Sequence, residues 1–208
     1  MIRDKLIIPL LLGLILLFNT DIWASEPQIG KPAPDFTLVD SHGKKHSLSD
    51  YKGKFVVLEW FNPDCPFVRK HYNSGNMQKL QKQYTKKGVI WLTINSSAPG
   101  KQGHCTPKIA NKIIKKKEMA CTAFLLDHDG KVGRMYGAKT TPHMYIINPN
   151  GILIYKGAID DKPSTNIEDI KKAKNYVVMA LEAAMKGKKV PVSATKPYGC
   201  SVKYKDKT

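Results

Sequence analysis

The sequence has few cysteines and no CxxC pair. Four cysteines occur among 208 residues, and Val68 occupies the position at which a CxxC motif beginning at Cys65 would place its second cysteine. This absence excludes a thiol exchange that is completed between two cysteines of the same helical turn. No cysteine is part of an established zinc-binding spacing either, such as CxxC with paired histidines.

Acidic residues are also scarce. The chain has 34 Lys and Arg against 17 Asp and Glu, a formal net charge of +17. The lysines are scattered or in short clusters without interleaved aromatic residues, so the pattern that stacks nucleic-acid bases is missing. We therefore expect solvated basic faces and no nucleic-acid binding. Peripheral contact of these basic faces with anionic envelope surfaces is the interaction that the charge still allows.

No apolar run reaches the roughly 20 residues that a membrane-spanning helix needs. The longest, from Leu6 to Phe18, follows Arg3 and Lys5 and precedes a small residue at Ala24. This order is typical of a signal peptide over residues 1–24, although a retained membrane anchor is the alternative. The expected location is outside the cytoplasm, in a bacterial periplasm, where cysteines form disulfides or exchange them.

The remaining chain is predicted to hold one domain, residues 25–190, followed by a polar, proline-containing C-terminal tail, residues 191–208. Two short strands with a turn between them are expected within 32–54, and "PNG" separates two strands of a terminal hairpin. The main predicted elements are strands at 55–61, 89–95, 122–127, 143–148 and 152–158, and helices from Pro66, at 77–85, at 107–117 and at 167–185. This order predicts an α/β fold with a central mixed sheet flanked by helices.

Cys65 lies where a strand ends and a helix is predicted to begin, in "EWFNPDCPFVRK". The free amides and the positive dipole end of a helix N-terminus lower the pKa of a thiol and favour the nucleophilic thiolate. Arg69 and Lys70 would strengthen this effect if their side chains folded back. The alternative role for a single cysteine is that of a small buried apolar residue.

Several motifs together resemble the thioredoxin-like redoxins, in particular exported proteins similar to alkyl hydroperoxide reductase and thiol-specific antioxidant. The matching stretches cover nearly everything after residue 31 and include "PAPDFTLVD", "FVVLEWFNPDCPFVRKHY", "LLDHDGKVGRMYGAKTTPHMYIINPNG" and "KPYGCSVKY". The resemblance implies a thioredoxin-like fold with an N-terminal β extension.

The resemblance also implies a substrate-binding region at Asn62, Thr141 and Pro142. Pro142 is expected to be a cis-proline facing Cys65, so that the backbone of Thr141 is exposed for pairing with an extended substrate. Asn62 stands where peroxiredoxins carry a threonine or serine, and "TTPHMYIIN" offers no arginine where that family has one. These departures weaken the case for peroxide reduction.

Cys200 is the candidate partner of Cys65, because Gly199 permits a close approach and a flexible tail closes a long loop at modest entropic cost. A structural or free surface thiol is its alternative role. Cys105 and Cys121 flank one predicted helix and are too far apart along it to bond directly unless both connecting loops fold back.

Several residues are of types that bind copper or zinc, but none has an established ligand spacing, so no metal and no cofactor is expected. They are Cys65, His71, His104, Cys105, His143 and Met144.

The function that these features favour is thiol-disulfide oxidoreduction, with Cys65 as nucleophile and Cys200 as resolving thiol. The expected partners are protein or small-molecule thiols and disulfides, or peroxide, together with an unidentified reductant. Peroxide reduction through a sulfenic acid at Cys65 is one alternative. A non-catalytic binding module with a structural disulfide is the other.

Overall fold

The computed structural model describes residues 26–206. The predicted signal peptide lies outside the described residues. Within them, the predicted order of elements is largely confirmed. Nine strands are present in this part of the chain: β1 (Thr37–Asp40), β2 (Lys45–Ser47), β3 (Val56–Trp60), β4 (Ile90–Asn95), β5 (Ala123–Leu126), β6 (Thr140–Thr141), β7 (His143–Ile147), β8 (Leu153–Gly157) and β9 (Cys200–Ser201). The five α-helices of the same region are α1 (Pro66–Asn73), α2 (Asn76–Lys86), α3 (Pro107–Lys117), α4 (Lys131–Met135) and α5 (Tyr176–Met185).

Seven strands form one mixed sheet in the order β2-β1-β5-β4-β3-β7-β8. Strands β3, β4 and β5 are parallel, whereas β7 pairs antiparallel with β3 and with β8. The central strand β3 is buried along its whole length because helices and loops cover both faces of the sheet. The predicted mixed sheet with a terminal hairpin is confirmed.

Side chains of the two sheet faces form two apolar clusters. One contains Trp91, Phe124 and Val177 and lies on the side of α1, α2 and α5, and the other contains Trp60, Leu92 and Tyr136. None of the helices within residues 26–206 is long and apolar enough to cross a membrane.

The prediction of one continuous helix over 167–185 is wrong. A 3₁₀ helix covers Ile167–Lys172, and α5 begins only at Tyr176. Between them the Lys174 amide donates to the Asp161 carboxylate, and the Asn175 side chain accepts from the Val178 amide and caps α5. These contacts hold the backbone in an extended conformation, which the apolar periodicity of the segment does not reveal.

Helix α4 was not predicted from the sequence. It follows Asp127, whose carboxylate accepts hydrogen bonds from the amides of Val132 and Gly133 at 3.2 and 2.8 Å. Five residues containing a glycine give too little periodicity for prediction, so a buried carboxylate from the preceding strand end determines where this helix begins.

The C-terminal segment, residues 191–206, is called the strap below. It was expected to be a flexible tail, but it runs along the domain and is bonded to it at several points. The amide of Lys156 donates to Ser193, β9 pairs with β6, and the amide of Ala98 donates to the carbonyl of Lys203. The Tyr204 hydroxyl donates to the Ala138 carbonyl at 2.8 Å. Cys200 therefore has a defined place in the fold.

Candidate active site

Cys65 caps the N-terminus of α1, as predicted. The turn between β3 and α1 is closed by Asn62, whose carbonyl accepts from the Cys65 amide at 3.2 Å and whose side-chain oxygen accepts from the Asp64 amide at 2.8 Å. Pro66 is the first helical residue, where a missing amide hydrogen has no cost. Cys65 is 0% exposed, so its sulfur lies beneath the surface of the domain.

Thr141 and Pro142 lie against the sulfur of Cys65. The peptide bond between them is cis, as the resemblance implies, and the Cys65 thiol donates to the Thr141 carbonyl at 3.0 Å. The Thr141 hydroxyl is buried and has no hydrogen-bond partner within residues 26–206. Thr141 therefore presents both an acceptor for the Cys65 thiol and an uncommitted donor close to it.

The strap places Cys200 directly across from Thr141. In the antiparallel pair of β6 and β9, Cys200 is opposite Thr141 and Ser201 is opposite Thr140. The preceding Gly199 has φ of +141°, and a Cβ there would lie 2.0 Å from the Thr141 carbonyl oxygen. Glycine therefore permits the close approach, as expected from the sequence. The edge of Thr141 that was predicted to bind an extended substrate is paired with the strap in this structure.

The pKa values of the two thiols are shifted in opposite directions. Burial raises the pKa of Cys65, but hydrogen bonds that Cys200, the Val68 amide and the Thr141 side chain can donate to its thiolate outweigh burial and lower that pKa below its ordinary value. Burial and the neighbouring Cys65 raise the pKa of Cys200 to about 11. The pair titrates as a unit, and its first proton is lost from Cys65.

Arg69 and Lys70 do not fold back towards Cys65. The Arg69 guanidinium donates to the Pro63 carbonyl and to the Asp64 carboxylate, both at 3.1 Å. The Lys70 ammonium is buried and donates to the Lys162 carbonyl at 2.8 Å. The thiolate is thus favoured by hydrogen bonds from Cys200, the Val68 amide and Thr141 rather than by a cationic side chain.

Asn62 is fully buried, and its side-chain amide donates to the Gln102 carbonyl at 3.2 Å. A Cβ on Gly103 would lie 2.0 Å from the Asn62 side-chain oxygen, so this loop packs tightly on the turn. Both polar atoms of the side chain are used to build the turn that carries Cys65. A contact of Asn62 with substrate stays a prediction.

Cys105 and Cys121 are free thiols with little tendency to ionise. Burial and Asp64 raise the pKa of Cys105 to about 12, and burial and Glu59 raise the pKa of Cys121 to about 12. They lie before and after α3, at its two ends. Neither is in a setting that activates a nucleophile.

Five of the six histidines make side-chain hydrogen bonds within residues 26–206. His104 and His128 pack together, and each donates a ring N–H to a backbone carbonyl at 2.9 Å, His104 to that of Ser97 and His128 to that of Cys105. Burial and two lysines lower the pKa of His143 to about 3, so it is neutral beside Pro142. No group of three or more His, Cys, Asp or Glu side chains is placed to hold a metal ion in the part of the chain that the structure describes.

Glu59 is a buried residue that the sequence reasoning missed. It lies on β3, is 0% exposed and accepts hydrogen bonds from Tyr72, Gln81, Trp91 and Thr93. Burial raises the pKa of this carboxyl despite those donors. A single acidic residue within the apolar run "FVVLEWF" is the signal that could have identified it.

The AhpC/TSA family model matches residues 29–156, and the chain belongs to this family. The matched part contains Asn62, Cys65, Thr141 and Pro142 and ends before the strap.

Among curated relatives, the protein named thiol-disulfide oxidoreductase ResA of Geobacillus thermodenitrificans is 28% identical over 123 residues, which is 59% of this chain and 65% of the relative. The chain thus matches just under two thirds of that relative's length. The protein of the same name from Bacillus subtilis is 28% identical over 155 residues, 74% of this chain and 81% of the relative.

Solved structures show the same fold. A structure described as an uncharacterized conserved protein from Geobacillus kaustophilus has a TM-score of 0.74 at 28% identity and covers 87% of this chain and 94% of its own. A putative thiol:disulfide interchange protein DsbE from Chlorobium tepidum has a TM-score of 0.51 at 26% identity, with coverage of 63% and 85%. The fold is thioredoxin-like.

Proposed function

We propose that this protein is a thiol-disulfide oxidoreductase in which Cys65 is the nucleophile and Cys200 is the resolving thiol. One observation carries the proposal: Cys65 donates to the carbonyl of Thr141, and Cys200 is the residue paired with Thr141 across β6 and β9, so both thiols lie against the same residue. The names of the ResA and DsbE relatives are consistent with this chemistry.

The reaction begins with the Cys65 thiolate. Its sulfur attacks one sulfur of a substrate disulfide, forms a mixed disulfide and releases the other half as a thiolate. Cys200 then gives up its proton to solvent and attacks the Cys65 sulfur, which releases the second half of the substrate. The substrate is reduced to two thiols, the Cys65–Cys200 pair is oxidised to a disulfide, and an external dithiol must reduce it for another turnover.

The acidities of the pair suit these two roles. Because its pKa is lowered, Cys65 has a larger thiolate fraction than Cys200 and attacks first, whereas Cys200, with a pKa of about 11, stays protonated and does not compete. When a reductant later opens the disulfide, the sulfur of lower pKa is the better leaving group. The structure thereby separates an attacking sulfur from a resolving one without a CxxC motif.

Peroxide reduction is less well supported. Arg69, the arginine nearest to Cys65 in sequence, is bound to Pro63 and Asp64, and Asn62 uses its side-chain amide inside the turn. Neither provides the donor that would stabilise the charge developing on a peroxide oxygen. A peroxide assay on the same protein separates the two reactions.

The function is tested by trapping the intermediate. The Cys200→Ser variant, treated with a small disulfide such as oxidised glutathione, should accumulate a mixed disulfide on Cys65, because the remaining thiols, Cys105 and Cys121, have pKa values of about 12 and ionise too little to resolve it. The wild type should instead form a Cys65–Cys200 bridge. Mass mapping of quenched peptides distinguishes these products.

Cys105→Ser is the matched control, since it removes a thiol that is buried and poorly ionised, and it should behave as the wild type. A Cys105–Cys121 bridge with Cys65 and Cys200 both free would overturn the two-cysteine mechanism and favour a binding module.

We further propose that the protein acts outside the cytoplasm, on the basis of the pattern in residues 1–24. N-terminal sequencing of the mature protein from a periplasmic fraction tests this location. A start at or close to residue 25 is expected, and full-length protein confined to the cytoplasm would contradict it.

A further inference from the structure

Three buried polar side chains and one half-buried tyrosine, outside the reacting pair, connect α1 with the strap. Lys70 and His71 lie on α1, Asp160 follows β8, and Tyr198 is in the strap two residues before Cys200. The first three are 1%, 0% and 2% exposed. Ionisable groups this deeply buried need hydrogen-bond or ion-pair partners to offset the cost of leaving water.

Tyr198 is at the centre of the cluster. Its hydroxyl donates to the Asp160 carboxylate at 2.5 Å and lies 3.2 Å from Nε2 of His71. The side-chain amide of Asn76, at the start of α2, lies 2.9 Å from Nδ1 of His71 and donates to it. His71 therefore carries its proton on Nε2 and donates it to the Tyr198 oxygen. One chain of hydrogen bonds runs from Asn76 through His71 and Tyr198 to Asp160.

The charges in the cluster are balanced. The Lys70 ammonium is 3.9 Å from the Asp160 carboxylate and 5.7 Å from the centre of the Tyr198 ring, and it donates to the Lys162 carbonyl. The Lys162 amide donates back to Asp160 at 3.0 Å. Burial and Lys70 lower the pKa of His71 to about 3, so His71 is neutral at physiological pH. One cation and one anion remain, each with hydrogen-bond partners.

This cluster connects the two reacting cysteines by a short rigid path. Cys65 caps the first turn of α1 and His71 lies in its last turn, so the helix fixes the distance between them. Tyr198 is bonded to His71, and only Gly199 separates Tyr198 from Cys200. We propose that Tyr198 is a positioning residue that clamps the strap to α1 through Asp160 and His71 and so holds Cys200 beside Cys65; the proposal rests on the two-cysteine function above.

Holding the strap closed has a measurable effect on the thiols. The fraction of time that Cys200 spends at Cys65 sets its effective concentration, and this concentration determines how far an external disulfide oxidises the pair. Weakening the clamp should lower that concentration. The Cys65–Cys200 disulfide should then be easier to reduce, although neither cysteine has been changed.

The variant Tyr198→Phe tests the clamp with little disturbance, since it removes the hydroxyl and keeps the ring. The centre of that ring is 5.8 Å from the centre of the Phe67 ring. The equilibrium constant for oxidation of the Cys65–Cys200 dithiol by oxidised glutathione should fall by about tenfold, because a hydrogen bond to a charged group is lost. That change corresponds to a reduction potential about 30 mV less negative.

Tyr84→Phe is the matched control. Tyr84 is a buried tyrosine that also donates to a carboxylate, that of Glu182, at 3.2 Å, but it lies on α2 and has no hydrogen bond to the strap. If both variants shift the glutathione equilibrium equally, the effect is general loss of stability and the clamp is refuted. It is refuted equally if Tyr198→Phe keeps the wild-type equilibrium.

Amide hydrogen exchange in the fully reduced protein measures how often the strap opens when no disulfide is present. The peptide covering 199–202 should exchange about tenfold faster in Tyr198→Phe than in the wild type, with Tyr84→Phe unchanged. If the wild type forms no Cys65–Cys200 bridge while this exchange still rises, the proposed redox function fails and the clamp stands. Unchanged exchange would remove the clamp whatever the redox result.

Discussion

At the scale of single residues, four chemically identical thiols acquire different properties from their surroundings. Cys65 has hydrogen bonding that favours the thiolate, whereas Cys105 and Cys121 have burial and a nearby carboxylate that oppose it. Cys200 differs again, since burial and the neighbouring Cys65 both oppose its ionisation. The position of each thiol in the fold, more than its position in a motif, determines whether it reacts.

Graded-pH alkylation should therefore separate the four thiols. Cys65 should show a rate midpoint below the roughly 8.5 of an ordinary thiol, because its folded pKa is lowered. Cys105 and Cys121, each with a pKa near 12, should react only on unfolding. Mass mapping after short pulses of iodoacetamide provides the measurement.

Denatured protein is the control, in which all four midpoints should converge. A native midpoint for Cys65 at or above that of the denatured chain would eliminate it as the nucleophile.

At the scale of elements, the site is the meeting of a helix end, a two-residue strand and the strap. Helix α1 presents Cys65, β6 presents the Thr141 carbonyl, and β9 brings Cys200 to the opposite side of Thr141. The last of these contacts depends on Gly199, because any side chain there would collide with the Thr141 carbonyl. A single backbone position thus controls whether the two cysteines meet.

The substitution Gly199→Ala should displace β9 from β6 and slow formation of the Cys65–Cys200 disulfide by about tenfold or more. The added Cβ would stand 2.0 Å from a carbonyl oxygen, at a φ of +141° that side chains rarely adopt. The measurement is the rate at which diamide oxidises the pair, followed by loss of free thiol.

Gly187→Ala is the control for backbone strain alone. Gly187 has a φ of +68° with nothing within 4 Å of its added Cβ, so this variant should lose a little stability and keep the wild-type oxidation rate. Equal slowing in both variants would show that the collision with Thr141 is not the cause.

At the scale of the whole molecule, the buried centre of the sheet contains a carboxyl group. Glu59 lies on the central strand and connects α1, α2 and β4 through Tyr72, Gln81 and Trp91. Its pKa is raised by burial, so the folded protein keeps this proton at pH values where the unfolded chain has lost it. The folded state then binds more protons than the unfolded state, and stability falls as pH rises above about 4.5.

Glu59→Gln should remove this pH dependence because an amide does not ionise. The difference in unfolding free energy between Glu59→Gln and the wild type should move in favour of the variant as pH rises from 4.5 to 7.5, by at most about 1.4 kcal/mol per pH unit. Urea unfolding of the reduced proteins at both pH values measures it. Parallel pH profiles for the two proteins would contradict a raised Glu59 pKa.

Much of the fold could be predicted because its main elements carry local signals. The buried strand β3 is a continuous apolar run, Pro66 marks the start of α1, and "PNG" marks the turn between β7 and β8. The helix predicted over 167–185 failed because its break depends on contacts with Asp160 and Asp161, which are close in space only after folding.

The sequence by itself determined the α/β order of elements, the helix-capping position of Cys65 and the absence of a CxxC partner. It also determined that Gly199 permits a close approach of the chain next to Cys200. These depend on periodicity, turn chemistry and steric size, which are local properties of the chain. Only the tertiary structure decided that residues 191–206 form a bonded strap, that Arg69 and Lys70 face away from Cys65, and that Tyr198 joins α1 to Cys200. Each of these depends on contacts between residues distant in sequence, and only folding determines which buried donor meets which acceptor.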